Sequence, residues 1–404
     1  MSIDTSKALS TGFTGLIIYD LEQKKVVFQR NADKYFVPAS NTKLFTLYAA
    51  LKTIGDSIPA LRYIETDSTF TFWGTGDPTL LHPYFAMSGT IDFLKSKAST
   101  KKMFLSDGHS SLDHYGEGWM WDDYNGYYQP ELSHLPMYGN VLKVKKDSIG
   151  LTITPMTLIQ KSYASPSQRN IKRVLDDNIF IIPSRLDTVK SFDQEIPYKD
   201  ASRVNHRLLE EALNTKIESI KIPVAASALT LYSMATDTVL RRMMQVSDNM
   251  LAEQLLILSG MISGDTLSSP YAIESISSRY LSDLSHRPIW KDGSGLTRYN
   301  MFTPQSILGL LLKMENEVGG KRLLSLLAYN GGNGTMRNMF YTQAQPYVFA
   351  KSGTLANVYN LSGYLVTPSG KKLAFSFMNN NFSGGSSGVK KEVERILEQV
   401  RSMY

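Results

Sequence analysis

Apolar and polar positions at both ends of the chain follow patterns that predict strands of one sheet. At the start, Gly15–Asp20 and Val26–Arg30 are short β-rich runs separated by the polar turn LEQKK, which predicts a hairpin. At the end, strands are predicted in residues 347–355, 360–367 and 372–380, and the turn PSGKK joins the last two. A hairpin at one end and three strands at the other indicate a single sheet built from both termini.

Helical spacing of apolar residues appears in three other places. It follows Pro38 over residues 44–51, and it runs from Thr236 to Ile262 with an interruption at VSDN. Near the end, the Gly/Ser-rich segment NFSGGSSG predicts a linker, and the next residues predict an amphipathic helix over Val389–Met403. One side of that helix would carry Val389, Val393, Ile396, Leu397 and Val400.

The middle of the chain differs in composition from both ends. Residues 61–222 contain many Tyr, Trp, Pro, Asp and Ser residues, several short β-like runs, and a polar helical stretch at RVNHRLLEEALN. This change predicts a second domain over residues 61–224, inserted into a domain made of residues 1–60 and 225–404. The expected fold class is mixed α/β, an antiparallel sheet flanked by helices plus the inserted domain.

The composition is typical of a soluble globular protein with more than one structural unit. The chain has 404 residues, of which 42 % are apolar and 20 % charged. No apolar run approaches the roughly 18–20 residues needed to cross a bilayer, so no transmembrane segment is expected. The start, MSIDTSKALSTGF, has no apolar leader, which predicts either a cytoplasmic chain or a mature form whose leader was removed.

Charge and cysteine content exclude several functions. The net charge of +6 is spread along the chain and not clustered with aromatic residues, so a nucleic-acid partner is not expected. With no cysteine the chain forms no disulfide, thiol nucleophile or thiolate metal site. Its six histidines lack zinc-ligand spacing, and GTGDPT and GGKR do not match nucleotide-binding loops. No metal or cofactor is therefore expected.

The first candidate motif is Ser40-Asn41-Thr42-Lys43, at the start of a predicted apolar helix. Residues at i and i+3 share a helix face, so a lysine amine could take the proton of the serine hydroxyl and activate it as a nucleophile. The alternative is a structural helix cap at Ser40. Three other S-x-x-K matches, at residues 99–102, 369–372 and 387–390, occur in polar or glycine-rich contexts that predict loops.

The second candidate motif, Ser247-Asp248-Asn249, interrupts a helical pattern. Such residues often mark only a turn or a cap. In an enzyme, Ser247 could relay protons between a lysine and a leaving group, and Asn249 could hold a substrate amide. We expect Asp248 to anchor the loop from behind.

The third candidate motif is Lys351-Ser352-Gly353-Thr354, inside a predicted strand. Glycine weakens a strand interior unless a bulge forms or a backbone or ligand approaches closely. Lys351 would offer a cation to a carboxylate, and the Thr354 N–H could pair with that of Ser40 as an oxyanion hole. The alternative is a strand end with a surface lysine.

Taken together and in this order, the three motifs resemble the S-x-x-K, S-D-N and K-T-G set of penicillin-binding proteins and serine β-lactamases, with Ser352 in the threonine place. Ser247 lies 207 positions after Ser40, a separation that fits an insertion. The chain is similar to the low-molecular-mass class C penicillin-binding proteins, the D-alanyl-D-alanine carboxypeptidase/endopeptidase family. Further matching segments are WGTGDPTL, GWMWDDYNGYYQPEL, DGSGLTRYN and GGNGTMR. The insertion is short, so the small third domain of larger relatives is expected to be reduced or absent.

The resemblance implies roles for the motif residues. Ser40 would be the acylated nucleophile and Lys43 its general base, while Ser247 and Asn249 would line the cleft. Lys351 would complete the catalytic set and, with Ser352, face the terminal carboxylate of the substrate. The further implied substrate-binding residues are Ser352, Gly353 and Thr354 in the same strand, Arg298 by the cleft, and Asp123 and Asp122 at the stem-peptide amino group. Trp119 and Trp121 are more simply explained as an aromatic core edge.

The function implied is that of a serine DD-peptidase in the periplasm or another extracytoplasmic space. It would cleave D-Ala-D-Ala, and cross-links as an endopeptidase, in peptidoglycan stem peptides, and β-lactams would inhibit it. A β-lactamase or esterase on the same fold, and a non-catalytic cell-wall binding protein, remain alternatives. The segment EEALN resembles the deacylating motif of class A β-lactamases, but it precedes Ser247 and is attributed to chance. The oligomeric state is not predicted.

Overall fold

The computed structural model describes residues 6–85, 89–340 and 345–404, and the chain divides into two compact units. The first unit consists of Met1–Thr53, Asp237–Ala252 and Ser269–Tyr404. The second consists of Ile54–Thr236 and Glu253–Ser268. These boundaries lie within about a dozen residues of the ends expected for an inserted domain, and the second unit also includes a later helical segment that the sequence did not assign to it.

Most strands are short, and they are numbered here in chain order. They are β1 (Phe13–Asp20), β2 (Lys25–Arg30), β3 (Ser57–Glu65), β4 (Thr69–Gly74), β5 (Lys102–Ser106), β6 (Val141–Asp147), β7 (Gly150–Thr154), β8 (Tyr163–Ser165), β9 (Lys172–Arg173), β10 (Phe180–Pro183), β11 (Phe192–Pro197), β12 (Ile217–Ile220), β13 (Leu229–Ala235), β14 (Ala328–Tyr329), β15 (Val348–Leu355), β16 (Val358–Val366) and β17 (Lys372–Asn380).

The α-helices are numbered in the same way. They are α1 (Lys43–Thr53), α2 (Thr90–Ala98), α3 (Ala201–Leu213), α4 (Thr236–Val246), α5 (Asn249–Gly264), α6 (Ser269–Tyr280), α7 (Pro304–Val318), α8 (Gly320–Leu326) and α9 (Ser386–Met403). The predicted break in the Thr236–Ile262 pattern is confirmed by the gap between α4 and α5. The final helix begins three residues before the predicted Val389, because the last residues of the predicted linker already take helical conformation.

The main sheet of the first unit is built from both chain termini, as predicted. Its strand order is β14-β15-β16-β17-β1-β2, and every neighbouring pair is antiparallel. The register pairs Phe13 with Asn380 and Lys351 with Ser362. This confirms the hairpin and the three C-terminal strands, and it brings the third motif, in β15, into a six-stranded sheet.

The core of the first unit lies between this sheet and its helices. All five apolar residues predicted for one side of α9 are buried, and they pack with sheet residues such as Leu16, Leu361 and Phe375. Helix α1 is buried around most of its circumference rather than along one stripe, which is typical of a central helix. Helix α7 begins with a capping box in which the Thr303 side chain accepts from the Ser306 N–H, with Pro304 at the first helical position.

The second unit contains three smaller sheets. The largest has the order β12-β5-β4-β3-β13 and includes two parallel pairs, β4 with β5 and β5 with β12. The other two have the orders β11-β6-β7 and β8-β10-β9. A separate apolar core is formed by residues of these strands and of α3, among them Phe70, Phe72, Leu142 and Leu208. Within the described ranges, no helix of the chain is both long and apolar enough to cross a bilayer.

Candidate active site

Ser40 lies in a 3₁₀ turn, Ala39–Thr42, that leads directly into α1 at Lys43. The sequence predicted Ser40 at the start of an apolar helix; in the structure this helical segment begins with the 3₁₀ turn, and its α-helical part begins at Lys43. The consequence for the chemistry is small, because side chains three residues apart are aligned in a 3₁₀ helix. The Nζ atom of Lys43 lies 3.1 Å from Oγ of Ser40. Serine and lysine are therefore adjacent, as the proposed chemistry requires.

Lys43 is fully buried and its amine is surrounded by oxygen acceptors. Besides Ser40 Oγ, Nζ donates to Oδ1 of Asn249 at 2.7 Å and to the backbone carbonyl of Ser294 at 2.7 Å. A buried amine needs such partners, because removing it from water without them is costly. The first two motifs, 206 residues apart in the sequence, therefore meet at the nitrogen of Lys43.

The loop that supplies the Ser294 carbonyl is folded around the carboxylate of Asp292, which is buried. Oδ1 accepts from the Gly295 N–H and from Nδ2 of Asn300, at 2.8 and 2.7 Å. Oδ2 accepts from the Thr297 N–H at 2.8 Å. These bonds fix the loop on both sides of Ser294, so Asp292 positions an acceptor of the Lys43 amine.

Two glycines allow backbone segments to pass close to the Ser40 turn. Gly295 has φ +81°, and a Cβ atom there would lie 1.9 Å from the carbonyl oxygen of Ala39. A Cβ atom on Gly353 would lie 2.7 Å from the carbonyl oxygen of Pro38 and 2.9 Å from the nitrogen of Ser40. The second contact confirms that the strand glycine marks a close backbone approach.

The second motif forms the turn between α4 and α5. Ser247 is half-buried and has φ +63°. Oδ1 of Asp248 accepts from the Leu251 N–H at 3.1 Å, and Oδ2 lies 3.4 Å from Nε of Arg242. Asp248 thus anchors the turn, as expected, while Asn249 starts α5 and reaches the buried amine.

The third motif lies in β15 beside the serine turn. Lys351 is fully buried, and its Nζ donates to the carbonyl of Ser352 at 2.6 Å. Burial, and secondarily the nearby charge of Lys43, hold the pKa of Lys351 well below its usual value. Nδ2 of Asn41 donates to the Lys351 carbonyl at 2.8 Å. Asn41, which is part of the first motif, therefore connects the serine turn to this strand.

Two strand asparagines also hold the segment before Ser40. Nδ2 of Asn360 in β16 donates to the carbonyl of Val37 at 2.9 Å, and Oδ1 of Asn380 in β17 accepts from the Val37 N–H at 2.7 Å. Sequence reasoning missed both residues, as it missed Asn41, Asp292 and Ser294. The sequence did offer an indication for Asn360 and Asn380. Asparagine is depleted in strands, and a buried asparagine needs a hydrogen-bond partner, so an asparagine within a predicted strand indicates a specific contact.

The remaining predicted site residues occupy two different units. In the first unit, Arg298 is exposed and donates from Nη2 to the carbonyl of Ala356 at 2.7 Å, close in sequence to the exposed Thr354. Asp122 and Asp123 belong to the second unit, in the 3₁₀ turn Trp121–Asp123. Oδ1 of Asp123 accepts from the hydroxyl of Tyr128 at 2.7 Å.

The other S-x-x-K matches lack this environment. Ser99 ends α2, and its exposed hydroxyl donates to the Ser96 carbonyl. Ser387 and Lys390 lie in α9, so the prediction that all three matches are loops is wrong for this pair. Ser387 is exposed, and Nζ of Lys390 lies 5.3 Å from the centre of the Tyr359 ring. Ser40 is thus distinguished by the burial of its lysine.

Among residues 6–85, 89–340 and 345–404, no group of three His, Cys, Asp or Glu side chains is arranged to hold a metal ion.

Comparison with known proteins agrees with this geometry. The profile of the D-Ala-D-Ala carboxypeptidase 3 (S13) family matches residues 2–402. The chain is 21 % identical over 443 residues to D-alanyl-D-alanine carboxypeptidase DacB of Haemophilus influenzae, covering 99 % of this chain and 92 % of the relative. Two crystal structures of penicillin-binding protein 4 (dacB) from Haemophilus influenzae match over the whole of both chains. Their TM-scores are 0.80 and 0.74 at 19 % and 18 % identity, and the second contains a β-lactam.

The family profile covers nearly the whole length of the chain, and the fold is that of its solved relative. The chain belongs to the D-Ala-D-Ala carboxypeptidase 3 (S13) family, serine hydrolases of the low-molecular-mass class C of penicillin-binding proteins.

Proposed function

We propose that the chain cleaves D-Ala-D-Ala ends of peptidoglycan stem peptides through an acyl-Ser40 intermediate. The observation that carries this proposal is the 3.1 Å separation between Nζ of the buried Lys43 and Oγ of Ser40. An activated serine needs a base within hydrogen-bond reach, and this pair meets that requirement.

In the acylation step, Lys43 takes the hydroxyl proton while Ser40 Oγ attacks the carbonyl carbon of the penultimate residue. The peptide bond breaks, and the departing D-alanine amine receives a proton. Ser247, in the turn next to Asn249, is the candidate to relay that proton. Water then hydrolyses the Ser40 ester, which releases the shortened peptide and restores the serine.

The oxyanion of the tetrahedral intermediate would lie between the backbone N–H groups of Ser40 and Thr354. The absence of a side chain at Gly353 supports this role, because it lets the strand backbone come close to the Ser40 nitrogen. In characterised hydrolases, removal of one such preorganised donor lowers kcat by about 10²–10³-fold.

The terminal carboxylate of the substrate would be held by Lys351 and Ser352. A buried lysine with a lowered pKa gains most from an incoming anion, because the anion offsets the desolvation that disfavours its charge. Arg298 would support this end of the strand through its bond to Ala356. Asp123, with Asp122 beside it, would receive the amino group of the stem-peptide side chain, and Tyr128 would orient the Asp123 carboxylate.

β-Lactams would acylate the same serine, because their ring amide imitates the scissile bond. The crystallised relative that contains a β-lactam supports this part of the proposal. Endopeptidase action on cross-links, and a location outside the cytoplasm where peptidoglycan is found, follow from the same substrate assignment. Both belong to the proposal.

A time course with fluorescent penicillin tests the assignment and its alternatives together. Wild-type protein, Ser40→Ala and the matched control Ser387→Ala, which alters an exposed S-x-x-K serine, are labelled and followed after excess penicillin is removed. Stable label on wild type and control, with none on Ser40→Ala, is expected. Rapid loss of label would indicate a β-lactamase, and absence of label on the folded wild type would contradict both catalytic assignments.

A further inference from the structure

A cavity of about 840 Å³ lies in the second unit, beside the segment that contains both tryptophans of the GWMW sequence. Neither Asp122 nor Asp123 lines it. Its walls combine aromatic rings with hydrogen-bonding side chains, chiefly Trp119, Trp121, Tyr124, Gln129, Glu131 and Arg173. A concave site of this size with a few polar groups among aromatic walls is typical of a ligand pocket.

One aromatic ring of the wall is exposed to solvent, while Tyr115, Trp119 and Tyr124 are half-buried. The Trp121 side chain is 75 % exposed, although a large apolar ring in water is normally avoided. The rings of Tyr115 and Trp119 lie 6.2 Å apart and inclined at 51°. Flat apolar rings among the polar lining residues suit a ligand that has an apolar face and a polar edge.

Gln129 places an unpaired hydrogen-bond acceptor in the same wall. Its side chain is 1 % exposed, and Nε2 donates to the Met120 carbonyl at 2.8 Å. Its Oε1 atom has no hydrogen-bond partner in the described part of the chain. A buried acceptor left unpaired is destabilising, so a hydroxyl or amide N–H from a ligand would be stabilised there.

Arg173 contributes hydrogen-bond donors to the same wall, where Gln129 contributes an acceptor. Its side chain is 2 % exposed, Nε donates to the Pro197 carbonyl at 2.8 Å, and Nη1 donates to the Val174 carbonyl at 2.9 Å. Nη2 makes no hydrogen bond to any residue that the structure describes. The guanidinium carbon lies 5.1 Å from the centre of the Tyr124 ring.

The buried charges of the wall are balanced. Glu131 is 2 % exposed, and its Oε2 accepts from the Ala201 N–H at 2.8 Å and lies 3.0 Å from Nδ1 of His114. One buried carboxylate and one buried guanidinium give no excess of either sign. The other charged lining residues are paired, Lys199 with Asp176 at 3.2 Å and Asp200 with Arg203 at 2.6 Å. A strongly charged ligand is therefore disfavoured, and a neutral ligand with many hydroxyl and amide groups is favoured.

We propose that this cavity binds an oligosaccharide of N-acylated amino sugars, namely the glycan strand to which the stem peptides are attached. Pyranose rings present C–H faces that stack on aromatic side chains, while their hydroxyl and amide edges match the free donor of Arg173 and the free acceptor of Gln129. The choice of this glycan rests on the proposed function. The cavity would hold the strand independently of the Ser40 chemistry.

Isothermal titration of the full chain with glycan strands freed of peptide by amidase tests the proposal. Wild type is compared with Trp121→Ala and with Tyr127→Ala, which removes a nearby ring that is 66 % exposed and does not line the cavity. Saturable binding to wild type and to Tyr127→Ala, weakened at least tenfold in Trp121→Ala, is expected. Arg173→Lys, which retains the charge but loses the fork of donors, is expected to weaken binding as well.

No saturable binding of peptide-free glycan, equal binding by wild type and Trp121→Ala, or binding that requires the peptide would each overturn the cavity assignment. Penicillin labelling of the same wild-type preparation is measured in parallel. A chain that is labelled but does not bind glycan contradicts only the cavity proposal. A chain that binds glycan but is not labelled contradicts only the proposed function.

Discussion

The backbone carbonyl of Ser294 accepts a hydrogen bond of 2.7 Å from Nζ of Lys43, so the amine next to the candidate nucleophile is held by a loop more than 250 residues away in the sequence. That loop is folded around Asp292. The environment of the Lys43 amine therefore depends on the carboxylate that holds this loop.

We predict that Asp292→Asn slows acylation of Ser40 by a β-lactam by about 10- to 100-fold, because loss of a buried hydrogen bond to a charged group costs about 1.5–3 kcal/mol. The NH₂ group of the new asparagine would face one of the three N–H groups that donate hydrogen bonds to Asp292, so that this hydrogen bond would be lost. A stopped-flow pH profile should also change, since the position of the Lys43 amine changes. The control is Asp283→Asn, which alters an exposed ion pair with Lys313 in the same unit. An unchanged rate and pH profile would contradict the positioning role.

Gly295→Ala should destabilise the first unit and disturb the serine turn. The positive φ alone costs about 1–3 kcal/mol for a non-glycine residue, and the new Cβ would also meet the Ala39 carbonyl at 1.9 Å. Gly370→Ala is a matched control, because Gly370 has φ +85° and open space around its Cβ position. Urea unfolding should show a clearly larger loss for Gly295→Ala. Equal losses would mean that the contact with Ala39 is unimportant.

Acylation should depend on pH through Lys351. Burial lowers the pKa of this lysine, so it loses its charge as the pH rises through a value well below 10.5. If the charged form holds the substrate carboxylate, the acylation rate falls over that range. A substrate with an amidated C-terminus should lack this alkaline limb. A fall in the acylation rate that begins only near pH 10.5, or that is the same for both substrates, would be inconsistent with the role given to Lys351.

Acid should destabilise the second unit through His134. Burial, and then repulsion from His109, lower the pKa of His134 to about 4. The unfolded chain, with a pKa near 6.5, takes up the proton first, so acidification from pH 7 to 5 favours unfolding by about 2 kcal/mol. Urea unfolding at pH 7 and pH 5 should show that the free energy of unfolding falls less for His134→Gln than for wild type.

Asp77 acts in the opposite direction, because burial raises its pKa to about 6 and acidification then stabilises the folded state. This contribution is present in both proteins, so the difference between wild type and His134→Gln isolates the histidine. His286→Gln is the control for removal of a histidine that is not fully buried. Equal losses in all three proteins would exclude the effect of His134.

The parts of the fold that sequence reasoning predicted are those encoded by local patterns. Alternating apolar residues identified the hairpin and the strands that form β15 to β17, and helical spacing identified α1, α4, α5 and α9. The 3₁₀ turn at Ser40 and the early start of α9 were missed. Both depend on backbone geometry that serine and glycine permit but do not dictate.

The candidate site was predictable only where it is made of motif side chains. Ser40, Lys43, Asn249 and Lys351 were proposed from short sequence matches. Hydrogen bonds link the first three at Nζ of Lys43, and Asn41 connects the backbone of Lys351 to the serine turn. The Ser294 carbonyl could not be predicted, since any residue has one, and the roles of Asp292, Asn360 and Asn380 arise from contacts between distant segments. The pairing order of the small sheets in the second unit was unpredictable for the same reason, because β4, β5 and β12 pair in parallel across long connections.

The release of D-alanine from an N-acylated peptide ending in D-Ala-D-Ala tests the central claim most directly. Free D-alanine is quantified by chromatography for wild type, Ser40→Ala and Ser387→Ala. We predict turnover by wild type and Ser387→Ala and a loss of at least about 10³-fold in Ser40→Ala, since removal of a serine nucleophile costs up to about 10⁶ in characterised serine peptidases. Release at an undiminished rate by Ser40→Ala, or no release by the folded wild type, would contradict the account.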